Sequence, residues 1–538
     1  LEIRRLDRND KFDFAASFQQ ESRVLALELA IDEAEGGLVS KLLKIPGQPE
    51  IQLSVNGEAP ISDYEARVTL ATDGTPRVSG AIGIAALTPE AEGAAADHQF
   101  TALLQGDMRP LFAPEFHAFF GETAKLDIAG IKHADKRLTL DRLMIDAAAV
   151  QLNGNLRLDT DGWPQSFALT GRLGNAGDTP EAVRLPGSGP VTTLQRATLT
   201  ADFDAARSED WRAAVTLKGL DRPDLSLADA EITGTGKITR DGNLEQVTAD
   251  LALALSGLAL SDPALAQAAG DSLSGTAALT WQPKLPVTVT GFDLRAGDVA
   301  VTGYGSIDGL ASGYPVAGHA RLIAPDFSRF AALADRPLTG RLEADLAASA
   351  KLLGGVFDLA LVANTDGLGI GDDRADPLIA PPSRVLVDMY RTQHGTVLDQ
   401  LRIENEVLSA RAEGALDAEA GEIAVTARLE ELSLTEPSLS GPASFTGDLA
   451  WKADRPLRFE NMTLEAAGAR VAGAGTLDLQ DKALPLNAKL DATVEDLSRF
   501  ATLAKRPLAG QARARLDGRV ELAGADTLGT SRDIPGLA

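Results

Sequence analysis

Five histidines give this chain its broadest chemical reach: His98, His117, His133, His319 and His394. No two stand three to five residues apart, so they form no helical zinc pair, and each reads as an isolated surface or rim residue. Cysteine is absent, which removes disulfides, thiolate metal sites, iron–sulfur ligation and thiol nucleophiles. Gly234-Thr235-Gly236-Lys237-Ile238 has the outline of a phosphate loop. However, Glu231 stands where its first glycine belongs, and Ile238 replaces the hydroxyl that would hold Mg²⁺. Asp159-Thr160-Asp161-Gly162 begins like a calcium loop, but Trp163 occupies the third acidic position and no glutamate closes it. Gly303–Gly309 lacks the tandem nine-residue period of a calcium β-roll, and no G-x-S-x-G elbow occurs. The expectation is no catalytic residue, no metal, no cofactor and no enzyme.

The elements that must carry any other function have strand periodicity. Over 338–352, Leu338, Gly340, Leu342, Ala344, Leu346, Ala348, Ala350 and Leu352 share one parity. The opposite parity holds Thr339, Arg341, Glu343, Asp345, Ala347, Ser349 and Lys351. Period-two alternation sets one row on an apolar face and the other in water; a helix would scatter both. Residues 357–363, 484–494 and 508–522 alternate in the same way. Asp-Gly pairs at 73–74, 161–162, 241–242 and 366–367 suit tight hairpins with positive φ. Short helices are expected near 107–120, 262–269, 326–334 and 496–504, bracing the sheet where it turns. Asp326 caps the third, and Arg336-Pro337 stops it.

Residues 299–340 recur without a gap at 469–510. V-T-G-Y-G-S-I-D at 301–308 matches V-A-G-A-G-T-L-D at 471–478. D-F-S-R-F-A-A-L-A-D-R-P-L-T-G at 326–340 matches D-L-S-R-F-A-T-L-A-K-R-P-L-A-G at 496–510. The glycine module returns as Ile232-x-Gly234-x-Gly236-x-Ile238 and as Ala410-x-Ala412-x-Gly414-x-Leu416. A long period with alternation inside it predicts one continuous β-repeat array over 1–538, whose units stack on their neighbours.

Composition narrows the partners. The net charge of −26 repels phosphate backbones, so no nucleic-acid partner is expected. Aromatics make up 5% of the chain beside 51 glycines, which suits thin layers better than a large core. No uninterrupted apolar run is long enough to span a bilayer, and Leu1-Glu2-Ile3 opens without a basic or apolar leader.

The order of parts resembles the TamB branch of the AsmA-like envelope proteins, the translocation and assembly module. That order is alternation, a D-x-S-R-F-A-x-L-A helix, R-P-L-x-G, then alternation again. The resemblance rests on 299–340, on 469–510 with 464–471 leading into it, and on the G-x-G-x-I/L-D module. It implies an all-β fold, an elongated β-taco or solenoid-like folded sheet with an apolar groove and a few short bracing helices. It implies a protein of the Gram-negative periplasm that carries phospholipid between inner and outer membranes and contributes to outer-membrane biogenesis. An inner-membrane anchor and a contact to an Omp85-type outer-membrane protein (TamA-like or BamA-like) would lie outside these residues, making the chain a central piece of a longer one.

The alternation leads to a similar place on physical grounds. One apolar row per strand must be hidden by a second sheet, a folded-over sheet or an apolar ligand. The candidate lining residues for phospholipid acyl chains are Val301, Ile307, Val316, Leu322, Leu342, Leu346, Leu352, Phe357, Leu359, Leu361, Val471, Leu477, Leu486, Leu490, Leu516, Val520 and Leu522. Two other readings compete: a scaffold that assembles outer-membrane β-barrels by strand addition, and an extracellular β-helix adhesin with a filled core.

Overall fold

Each alternating stretch becomes one strand of an antiparallel ladder, paired with the next long strand along the chain. The computed structural model describes residues 2–4, 10–42, 44–88, 95–175, 177, 181–187, 189–242, 244–309, 312–393, 395–417, 420–453 and 455–521. The class is all-β, with few and short helices. The chain divides into two units, Leu1–Asp262 with Gly270–Pro283, and Pro263–Ala269 with Lys284–Ala538.

In the first unit, strands from Lys11–Gln19 to Ser272–Trp281 pair in chain order, with the two-residue strands Val183–Arg184 and Ala259–Leu260 attached at their sides. Residues opposite one another across a ladder share a face. Following those partners from Phe14 leads through Leu29, Val55, Val68, Gly80, Leu104, Leu126 and Ile145. The row continues through Leu152, Gly171, Leu199, Val215, Ile232 and Leu253 to Gly275, without one polar residue.

This apolar face is rolled inward. Trp163 precedes strand Pro164–Gly174, and Trp281 ends a strand five ladder steps away. Five steps would separate them by about 24 Å on a flat sheet, yet their rings stack with centroids 6.3 Å apart. Trp163, Phe203 and Ile238 form a small core there, with Phe167, Trp211 and Val247 packed against it.

In the second unit, strands from Val287–Ala296 to Ala512–Glu521 pair in chain order. One row runs from Leu294 through Val301, Leu322, Ala344, Ala363, Val385 and Ile403. It continues through Ala410, Ala427, Phe445, Leu464, Val471 and Ala492 to Ala514. Again every member is apolar.

The helical turns named here fall on connections an even number of strands apart, and in an antiparallel ladder such connections share an end. The first unit places Leu38–Leu42, Arg109–Leu111, Pro114–Phe116 and His117–Phe120 on one edge. The second places Phe327–Phe330 with Ala331–Ala334, Asp376–Ile379, Leu432–Leu434 and Leu497–Phe500 on one edge. Among the described residues the other edge of each unit carries hairpins and loops, with one 3-10 position at Ser312 in the second unit.

Three expectations need correction. Asp366-Gly367 makes no hairpin: it lies inside strand Val356–Gly369, where the register slips opposite Gly340, a glycine at φ +100. The helix expected at 496–504 is a 3-10 turn over Leu497–Phe500 followed by non-helical turns, and 107–120 holds three short helical pieces. Helix Leu38–Leu42 was not anticipated, because its cap is remote in sequence. The Glu33 carboxylate accepts hydrogen bonds from the Val39 and Ser40 amides at 2.7 and 3.1 Å.

Candidate functional site

The residues that could act together are those of the second unit's apolar face. The register sets Val301, Ile307, Val316, Leu322, Leu342, Leu346, Phe357, Leu359 and Leu361 on it, joined by partners such as Leu346 with Leu361 and Val316 with Ile307. Val471, Leu477, Leu486, Leu490, Leu516 and Val520 fall on the same face through the ladder that follows. Leu352 does not: it sits in the hairpin beyond Lys351, off the paired face and 60% exposed. Leu522 lies outside the described residues.

What bends and shapes this face is a set of bulges opposite its glycines. Each of the second unit's three glycine modules faces a strand with one extra residue. Val289 and Phe292 oppose Gly305 and Gly303, Leu398 and Leu401 oppose Gly414 and Ala412, and Phe459 and Met462 oppose Gly475 and Gly473. Such bulges bend and twist a strand locally. At Gly303 glycine is required: a Cβ there would stand 2.3 Å from the His319 carbonyl oxygen and 2.8 Å from the Phe292 ring. The signal was present as a break in parity, from 289 to 292, 398 to 401 and 459 to 462.

The face is half-covered. Among the described residues, side chains larger than serine that are fully buried, such as Phe203, Ile51 and Leu194, all belong to the first unit. In the second unit the buried apolar positions are mostly alanines, including Ala324, Ala344, Ala363, Ala412 and Ala488. Leu346, Leu359 and Leu361 stay part-exposed. A sandwich core would bury such leucines under a second layer; here they line an open floor.

The floor carries almost no polarity. Thr365, Ser383, Thr396 and Arg391 are the polar residues among its described paired positions. The opposite face holds the charge, with cross-strand pairs Arg321–Glu343 at 3.2 Å and Arg515–Asp491 at 2.6 Å. The Asp491 carboxylate beside Arg515 raises that guanidinium above its ordinary range. A cavity of about 650 Å³ touches this polar side, where Tyr304 and His319 stack at 5.0 Å. Arg321, its cation, is already spent on Glu343 and Asp345.

One edge is braced by the repeated helical turns. Asp326 and Asp496 each accept a hydrogen bond, from Ser328 N and Ser498 N, at 2.9 Å. Arg329 then reaches back to the Ala296 carbonyl and to Asp298, both at 2.7 Å. The motifs weighed for metal chemistry are otherwise engaged. Arg240 bonds Asp159 at 2.9 Å and pairs with Asp161. His133 lies between Asp97 at 2.6 Å and Thr139 at 3.0 Å. Among the described residues no group of three metal-ligating side chains occurs.

The class of structure is thus an antiparallel sheet with one predominantly apolar face and one charged face. The chain matches no family model, no curated protein and no solved structure.

Proposed function

We propose that the second unit's apolar face is a floor for phospholipid acyl chains, and that the protein is a lipid conduit without a catalytic step. One observation carries the reading: the register makes apolar rows, such as Ala320–Leu346–Leu361–Val387, that run unbroken from strand to strand with their leucines left part-exposed. Each methylene laid on such a surface gains at most about 0.8 kcal/mol. Rows of near-uniform apolarity offer no deep trap, so tails can move along them while headgroups stay in water. Work between the inner and outer membranes of a Gram-negative envelope, with an anchor and an Omp85-type partner supplied by regions beyond these residues, is part of the same proposal and rests on the resemblance. Among the described residues no helix is long and apolar enough to cross a membrane.

Mass spectrometry of organic extract from protein purified without detergent tests the reading. Co-purifying phospholipid is expected in stoichiometric amount. Its absence across several mild preparations would sink the proposal.

A further inference from the structure

We propose that Arg391 binds the phosphate of a phospholipid whose tails lie on the second unit's apolar face; this rests on the lipid-floor reading above. Among the described paired positions of that face, Arg391 is the one charged residue. It stands one residue from the end of Ser383–Thr392, at the hairpin edge opposite the helical turns, with Phe357 and Thr396 as its ladder partners. Leu359, Met389 and Leu398 make the next row inward.

The polar face pairs many of its arginines with carboxylates, as at Arg321 and Arg515, whereas Arg391 is exposed and has no carboxylate partner among the described residues. A long arginine stem lies on apolar surface and delivers its guanidinium to the water at the rim. The planar guanidinium fork matches two phosphate oxygens at once, which an ammonium or a hydroxyl cannot do. Tails of a lipid held there would run directly onto Phe357 and Leu359. An arginine kept at this spot only for solubility would not distinguish a phospholipid from the same lipid without phosphate.

That difference is the test. The full chain, exchanged free of co-purified lipid, is titrated with fluorescent-tailed phosphatidylglycerol, with diacylglycerol of identical tails, and with glycerol 3-phosphate. Phosphatidylglycerol should bind about tenfold more tightly than diacylglycerol. Arg391→Ala should erase that preference while leaving diacylglycerol binding unchanged, and Arg391→Lys should restore part of it. A preference that survives Arg391→Ala overturns the inference and leaves the lipid floor standing. Tight binding of glycerol 3-phosphate alone also overturns it, by showing a tail-independent anion site. If neither tailed ligand binds, the floor itself falls and the inference goes with it.

Discussion

Leu346 and Asp345 are neighbours in the chain and face opposite ways. Leu346 pairs with Ala320 and Leu361 on the apolar face, and Asp345 with Arg321 and Val362 on the other. A photo-crosslinking residue at 346 should therefore give lipid adducts and one at 345 few; equal labelling would remove the case for a one-sided floor. Thr365 makes a different point. It is buried, and its hydroxyl has no hydrogen-bond partner. Thr365→Val should raise stability by about 1 kcal/mol, read as a higher urea midpoint at unchanged slope. Asp496 supplies a pH marker: the Ser498 hydroxyl, then its amide, hold its carboxyl below the ordinary carboxylate range. Its contribution is full above the ordinary carboxylate range and is lost as pH falls through the lowered value. Carboxyl-carbon NMR should show Asp496 still ionised where exposed aspartates are half-protonated.

The helical turns show where two similar elements part company. In the first copy Arg329 is tied to the Ala296 carbonyl and to Asp298, with only 13% of its side chain exposed. In the second copy Gly468 stands at the matching position, and Arg499 is exposed. Arg329→Ala should cost about 1–2 kcal/mol, while Arg499→Ala should stay within about 0.5 kcal/mol, both measured by chemical denaturation. The sequence hid this contrast because residue 298 lies one place before the matched stretch. Alternation was legible because side-chain parity follows directly from strand geometry, and most of the predicted lining fell on one face for that reason. Leu352 failed because parity cannot say where a strand ends. The inward roll marked by Trp163 and Trp281 was not legible either, since it depends on curvature summed over five ladder steps. Arg391 is legible only through the parity of Ser383–Thr392, where Val385, Val387 and Met389 share its face.

Within each unit the strands lean on their ladder neighbours, so damage should stay local. Leu346→Arg places a charge on the apolar floor and should cost about 1–3 kcal/mol. Hydrogen exchange should quicken in Pro315–Ala324, Thr339–Lys351 and Val356–Gly369, with Ala469–Leu477 and Pro485–Val494 unchanged. Uniform loss of protection across the second unit would show instead that it melts as a single block. The ladder also fixes how such a chain can change length. From Val299–Ile307 to its repeat at Ala469–Leu477 there are ten pairings, an even number. The duplicated segment therefore runs in the same direction as the original and lands its helical turn on the same side. Inserting or deleting one strand would reverse every strand that follows and carry the later turns to the opposite margin. Adding or removing a hairpin would leave both margins as they are, so the neutral increment of length for this protein is two strands.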